Sequence, residues 1–175
     1  LGFEGVEVSF GRRIADNKLP LDNPDVIAQY LAAFKQHGIA IAGACVDALH
    51  VNCLMNDPQA RKWVSDGIRL SKQLNAKVML LPFFGKCAMT TNADMDGAAA
   101  ALKDLAAQAA ESGLVLGLEN TISAENSVRI IDKVGSPAVK VYFDAGNSFN
   151  WGHDPVKELR WLGASRICQI HIKDN

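Results

Sequence analysis

Six short apolar runs alternate along the chain with longer stretches whose hydrophobic and polar positions recur at helical spacing. The runs cover residues 5–10, 38–45, 76–84, 114–120, 139–144 and 167–173, and their starts fall 33, 38, 38, 25 and 28 residues apart. Such an interval holds one strand, one helix and two loops, so the pattern predicts repeated βα units and a parallel sheet. The helix starts carry their own marks. Asn23-Pro24, Asp57-Pro58 and Asp154-Pro155 each place a capping side chain before a proline at the first helical position. Gly38 after His37 and Gly113 after Ser112 suit left-handed C-terminal caps. The alanine-rich stretch 98–110 needs no role beyond helix formation. Nothing along residues 1–175 reads as a linker, so a single domain is expected.

Strand parity separates the two parallel architectures, an open doubly wound sheet and a closed barrel. Successive side chains point to opposite faces. Leu114, Leu116 and Leu118 share one face, while Val115, Gly117 and Glu119 share the other. Val139, Val141 and Phe143 oppose Lys140, Tyr142 and Asp144; Cys168, Ile170 and Ile172 oppose Gln169, His171 and Lys173. Val6, Val8 and Phe10 oppose Glu7 and Ser9. Each run has one apolar face and one that gathers polar groups toward its C-terminal end. An open sheet covered on both sides wants two apolar faces. A (β/α) barrel, whose lumen opens on an active site at the strand C-termini, fits better. Nucleotide loops are missing as well: there is no Gly-x-Gly-x-x-Gly, and Gly85-Lys86 is followed by Cys87 rather than Ser or Thr.

Composition changes this picture little. The 175 residues are 49% hydrophobic and 21% charged, with a net charge of −1. There is no basic field to gather nucleic acid. No apolar run is long enough for a membrane span, no signal peptide is visible, and a cytoplasmic location is expected. The cysteines at 45, 53, 87 and 168 form no C-x-x-C pair, which reads as reduced thiols.

The chemistry lies at three successive run ends. Glu119, Asp144 and His171 stand 25 and 27 residues apart, one βα unit each, all on the inward face. Two carboxylates and an imidazole suit one divalent ion, Mn²⁺, Mg²⁺, Co²⁺ or Zn²⁺, with positions left for substrate or water. Around them, Gly117-Leu118-Glu119-Asn120, Phe143-Asp144-Ala145-Gly146-Asn147 and Ile170-His171-Ile172-Lys173-Asp174 resemble strand ends of the xylose isomerase-like TIM barrel superfamily, the sugar-phosphate isomerase/epimerase and AP endonuclease group. Leu1-Gly2-Phe3-Glu4-Gly5-Val6-Glu7 resembles that family's second-strand segment, so the likeness runs from strand two to strand seven of eight.

The resemblance implies a metal held by Glu119, Asp144 and His171. A fourth family ligand, a Glu of strand eight, has no counterpart before Asn175, and the first strand also lacks one. Six strands do not close an eight-stranded barrel. The implied activity is isomerisation or epimerisation of a sugar or sugar phosphate. Glu119 would act as acid/base and the metal would stabilise an enediolate. Glu7, Asn120, Asn147, Lys173 and His50 are candidate substrate contacts, with Lys173 equally able to pair with Asp144. Phe149 and Trp151 are candidates for an apolar wall over a sugar, and Trp63 and Trp161 for helix packing. Dehydration of a cyclitol or related polyol, and a non-catalytic sugar- or metal-binding remnant, are the alternatives. An AP endonuclease is disfavoured by only 4 histidines and a slightly acidic charge. Exposed sheet edges would admit a homodimer.

Overall fold

The computed structural model describes residues 2–173. Leu1, and the Asp174 that closes the His-Ile-Lys-Asp run, lie outside them. The chain runs β1 (Gly5–Ser9), α1 (Pro24–His37), β2 (Ala40–Cys45), α2 (Pro58–Leu74), β3 (Val78–Pro82), α3 (Asn92–Glu111), β4 (Val115–Glu119), α4 (Ala124–Val134), β5 (Val139–Asp144), α5 (Ala145–Asn150), α6 (Pro155–Leu162) and β6 (Ile167–His171). Single 3-10 turns stand at Asp47–His50, Gly85–Cys87 and Ala164–Arg166. Five of the six strands are shorter than their apolar runs by one to four residues, because the run ends turn out into loops, and β5 matches its run.

All three proline-marked starts cap as expected. Asn23, Asp57 and Asp154 accept from the backbone N–H groups of Asp25, Gln59 and Val156. Gly38 and Gly113 both take the left-handed conformation, at φ 63°. The sequence pattern did not mark α5 as a helix; Asp144 caps it, so the last residue of β5 is also the N-cap of the next element.

The sheet is six parallel strands in sequence order, β1 to β6. It is curled. Tyr142 on β5 donates a hydrogen bond to Glu7 on β1 at 3.0 Å. In a flat sheet those strands would lie about 19 Å apart, four spacings of ~4.8 Å. The outer face carries Val8, Met79, Leu81, Leu116, Leu118, Val139 and Val141 into one core with the helices. Burying each such side chain contributes about 1.5–3 kcal/mol. The inner face holds a small cluster of Cys45, Leu80 and Tyr142. This is a partial TIM barrel, open between β1 and β6. Among the described residues, no helix is long and apolar enough to cross a membrane.

Three expectations are corrected. Cys53 and Cys87 are joined by a disulfide, not free thiols. Adjacent strands β2 and β3 deliver their C-terminal loops side by side, a proximity that spacing of 34 residues does not reveal. Cys168 does not face the helices. A register shift between Val141 and Tyr142 lets Cys168 pack against the inner cluster, since a bulge suspends strict alternation. Trp161 is 51% exposed rather than packed between helices, whereas Trp63 is buried as expected.

Candidate active site

Glu119, Asp144 and His171 are the last residues of β4, β5 and β6, and the pairing of Asp144 with His171 in the ladder sets two of them side by side. Their ligand atoms all lie within 4.8 Å of one another. His171 Nδ1 is 3.2 Å from Glu119 Oε1 and 3.8 Å from Asp144 Oδ2. The side chains of Glu119 and Asp144 are only 9% and 2% exposed. Two buried carboxylates so close together are costly without compensating positive charge. Lys173 supplies some of it, with Nζ 2.9 Å from Asp144 Oδ2. Gly146 makes room for that lysine, because a Cβ there would stand 2.7 Å from Lys173 Cε. The donor set and its electrostatic need fit a divalent cation at this point.

Asn147 ties the group together. Its backbone N–H donates to Asp144 Oδ1 at 2.8 Å, its side-chain amide donates to Glu119 Oε1 at 3.2 Å, and its Oδ1 accepts from Lys173 at 2.6 Å. Burial opposes the charge on Asp144. The Asn147 N–H and the Lys173 ammonium nevertheless outweigh it and hold the carboxyl below its usual range. The hydrogen bond to Glu119 raises the His171 imidazole above its ordinary value, against the pull of burial.

Glu7 also belongs to the cluster, through Tyr142. The Tyr142 hydroxyl lies 3.0 Å from Glu7 Oε2 and 3.1 Å from His171 Nε2. Glu7 is exposed, yet partial desolvation raises its carboxyl, offset in part by the Tyr142 hydrogen bond and the charge of His171. Burial likewise pushes up the thiols of Cys45 and Cys168, the latter to about 12, so both are neutral lumen groups.

The structure does not bring every candidate to this centre. Asn120 turns into the start of α4: its amide donates to Ser127 Oγ at 3.2 Å and its oxygen accepts from the Ile122 N–H at 3.1 Å. His50 stacks on Phe84, with ring centroids 6.2 Å apart. Burial and the nearby Arg12 lower its basicity. Phe149 and Trp151 are exposed on and after α5. Tyr142 and Gln169 were not singled out from the sequence. Both share inward parity with a candidate ligand two residues away, and that was the available signal.

A family model described as xylose isomerase-like TIM barrel matches residues 1–175. The chain belongs to that family. It is 26% identical, over 99% of its length, to 2-epi-5-epi-valiolone 7-phosphate 2-epimerase of Actinoplanes sp. (strain ATCC 31044 / CBS 674.73 / SE50/110), and it spans 64% of that relative. Two solved structures share the fold. A D-tagatose 3-epimerase-like protein superposes with a TM-score of 0.80 at 16% identity, covering 100% of this chain and 69% of that one. The 3-keto-D-glucoside 4-epimerase YcjR of E. coli superposes with a TM-score of 0.75 at 19% identity, covering 99% of this chain and 70% of that one. The relatives are thus sugar and sugar-phosphate epimerases.

Proposed function

We propose that the protein carrying this chain is a metal-dependent sugar or sugar-phosphate epimerase or isomerase. It would remove a proton from a carbon beside a carbonyl, then return it to the opposite face or to the neighbouring carbon. The observation that carries this reading is the meeting of two buried carboxylates and an imidazole at three adjacent strand ends. The 26% sequence identity to a 2-epimerase of a phosphorylated substrate supports the substrate class.

Glu119 is the acid/base. Its Oε1 accepts from the Asn147 side-chain amide and lies 3.2 Å from His171 Nδ1, which orients the carboxylate and leaves Oε2 for the proton. Asp144 is held ionised by Asn147 and Lys173, so it remains a ligand rather than a proton donor. A divalent cation held by Glu119, Asp144 and His171 would supply Lewis-acid polarisation of the substrate carbonyl. Lys173, whose Nζ stands 2.9 Å from Asp144 Oδ2 and whose side chain is 41% exposed, would be within reach of a substrate hydroxyl or phosphate oxygen. Leu80, Cys45 and Tyr142 form a buried, largely apolar lumen floor, where fixed charges act more strongly.

The test is deuterium uptake from D₂O into a panel of ketoses, inososes and ketose phosphates, with the protein stripped by chelator and then reloaded with Mn²⁺ or Zn²⁺. Uptake beside the carbonyl, with a new epimer or isomer, is expected. Chelation and His171→Ala should abolish it, and Glu119→Gln should lower it at least about 100-fold. Stoichiometric metal without uptake in any substrate would leave a binding remnant. Loss of water without an epimer would make the protein a dehydratase.

A further inference from the structure

Glu7, Tyr142 and His171 lie on β1, β5 and β6, yet their side chains form one continuous hydrogen-bonded line across the open lumen. The Tyr142 hydroxyl has a single proton. Glu7 as a carboxylate can only accept, so that proton goes to Glu7 Oε2 at 3.0 Å. The phenolic oxygen must then accept from His171, which puts the imidazole proton on Nε2, 3.1 Å away. In the neutral ring the lone pair is left on Nδ1, and Nδ1 is the nitrogen that faces Glu119 and Asp144.

The backbone is shaped for this line. Tyr142 and His171 rings lie 4.5 Å apart between centroids. Gly117 on β4 sits under the tyrosine: a Cβ there would stand 3.0 Å from Tyr142 Cδ2 and 2.8 Å from Cys168 Sγ. Gly43 on β2 does the same for the other end, with a Cβ position 3.5 Å from Glu7 Oε2 and 3.2 Å from Gln169 Oε1. Two strand interiors therefore give up their side chains at the two places where the line passes, although glycine weakens a strand.

We infer that Tyr142 is a positioning residue, backed by Glu7, that sets the His171 tautomer and aims Nδ1 at the metal position. This rests on the metal site proposed above. It assigns Glu7 to holding His171 rather than to substrate. A ligating histidine needs its other N–H fixed by an outer partner, and loss of such a partner typically weakens metal binding 10–100-fold.

The experiment is Zn²⁺ affinity of the full chain by chelator competition, together with ¹⁵N NMR of the histidine ring nitrogens in the Zn²⁺-loaded protein. Wild type should bind through Nδ1, with Nε2 protonated. Tyr142→Phe should bind 10–100-fold more weakly while its unfolding midpoint stays close to wild type. Glu7→Gln retains an acceptor oxygen for the tyrosine and should keep affinity within about threefold, whereas Glu7→Leu should fall with Tyr142→Phe. Equal affinity in Tyr142→Phe and wild type, or a His171 bound through Nε2, overturns the inference while leaving the metal site intact. Absence of Zn²⁺ binding in wild type overturns the site and the inference together. Binding with the expected tautomer, but no deuterium uptake in any sugar, sinks only the epimerase reading.

Discussion

Gly117 shows how much a single missing side chain matters here. It lies on the inward face of β4, two residues before Glu119, and its absent Cβ is the space into which the Tyr142 ring fits. Gly117→Ala should destabilise the chain by about 1–3 kcal/mol in chemical denaturation, the usual cost of overpacking. It should also weaken metal binding by pushing Tyr142 off His171. Unchanged stability would mean that Cys168 and Tyr142 yield freely. Lys173 makes a second residue-level case. Its ammonium is the partner of a carboxylate that is 2% exposed, so Lys173→Met should lower metal-free stability by roughly 1–2 kcal/mol. The lysine is itself 41% exposed, and for that reason the cost stays below that of a fully buried pair. Loading with Zn²⁺ should restore most of the loss, giving a larger rise in Tm on loading in the variant than in wild type.

Among the elements, α3 offers the clearest link from sequence to stability. Thr91 and Asp94 form a reciprocal capping box: Thr91 Oγ1 accepts from the Asp94 N–H at 3.1 Å, and Asp94 Oδ2 accepts from the Thr91 N–H at 2.8 Å. Thr91→Ala should cost about 1 kcal/mol of unfolding free energy. The Thr90 N–H, then the Thr91 hydroxyl and N–H, hold the Asp94 carboxyl below its ordinary 3.8. A lowered carboxyl contributes stability that is fully present above the unfolded value and fades as pH falls through the folded one. The stability gap between wild type and Asp94→Asn should therefore be constant from about pH 5 to about pH 7 and shrink as pH falls below the 3.8 reference. A gap that persists to lower pH would show that the box acts through packing instead. Strand β6 shows the limit of element-level reading. Its alternation is sound at His171, which pairs with Asp144, but breaks at Cys168, because the register shift opposite Val141 admits one extra residue. Nothing in the local sequence marks that bulge with a glycine or proline.

On the scale of the molecule, the disulfide between Cys53 and Cys87 staples the loops that follow β2 and β3 at the rim of the lumen. It closes a 34-residue separation, for which the chain-entropy argument gives about 3–4 kcal/mol. Reduction, or Cys53→Ser with Cys87→Ser, should lower the unfolding free energy by roughly that amount at unchanged metal affinity. A fall in affinity as well would place the rim loops in the site.

The sequence determined the βα period, the proline-marked helix starts, the inward parity of Glu119, Asp144 and His171, and through its motifs the family. These are local properties: spacing, capping chemistry and side-chain alternation act within a few residues and can be read along the chain. Only the tertiary structure decided that Tyr142 bridges Glu7 to His171, that Asn147 and Lys173 bind the carboxylates while Asn120 turns away into α4, that Cys168 enters the lumen, and that Cys53 meets Cys87. Those contacts join residues as much as 135 positions apart. They depend on the curl of the sheet and on one register shift, both summed over many strands, and neither is written in any single stretch of the chain.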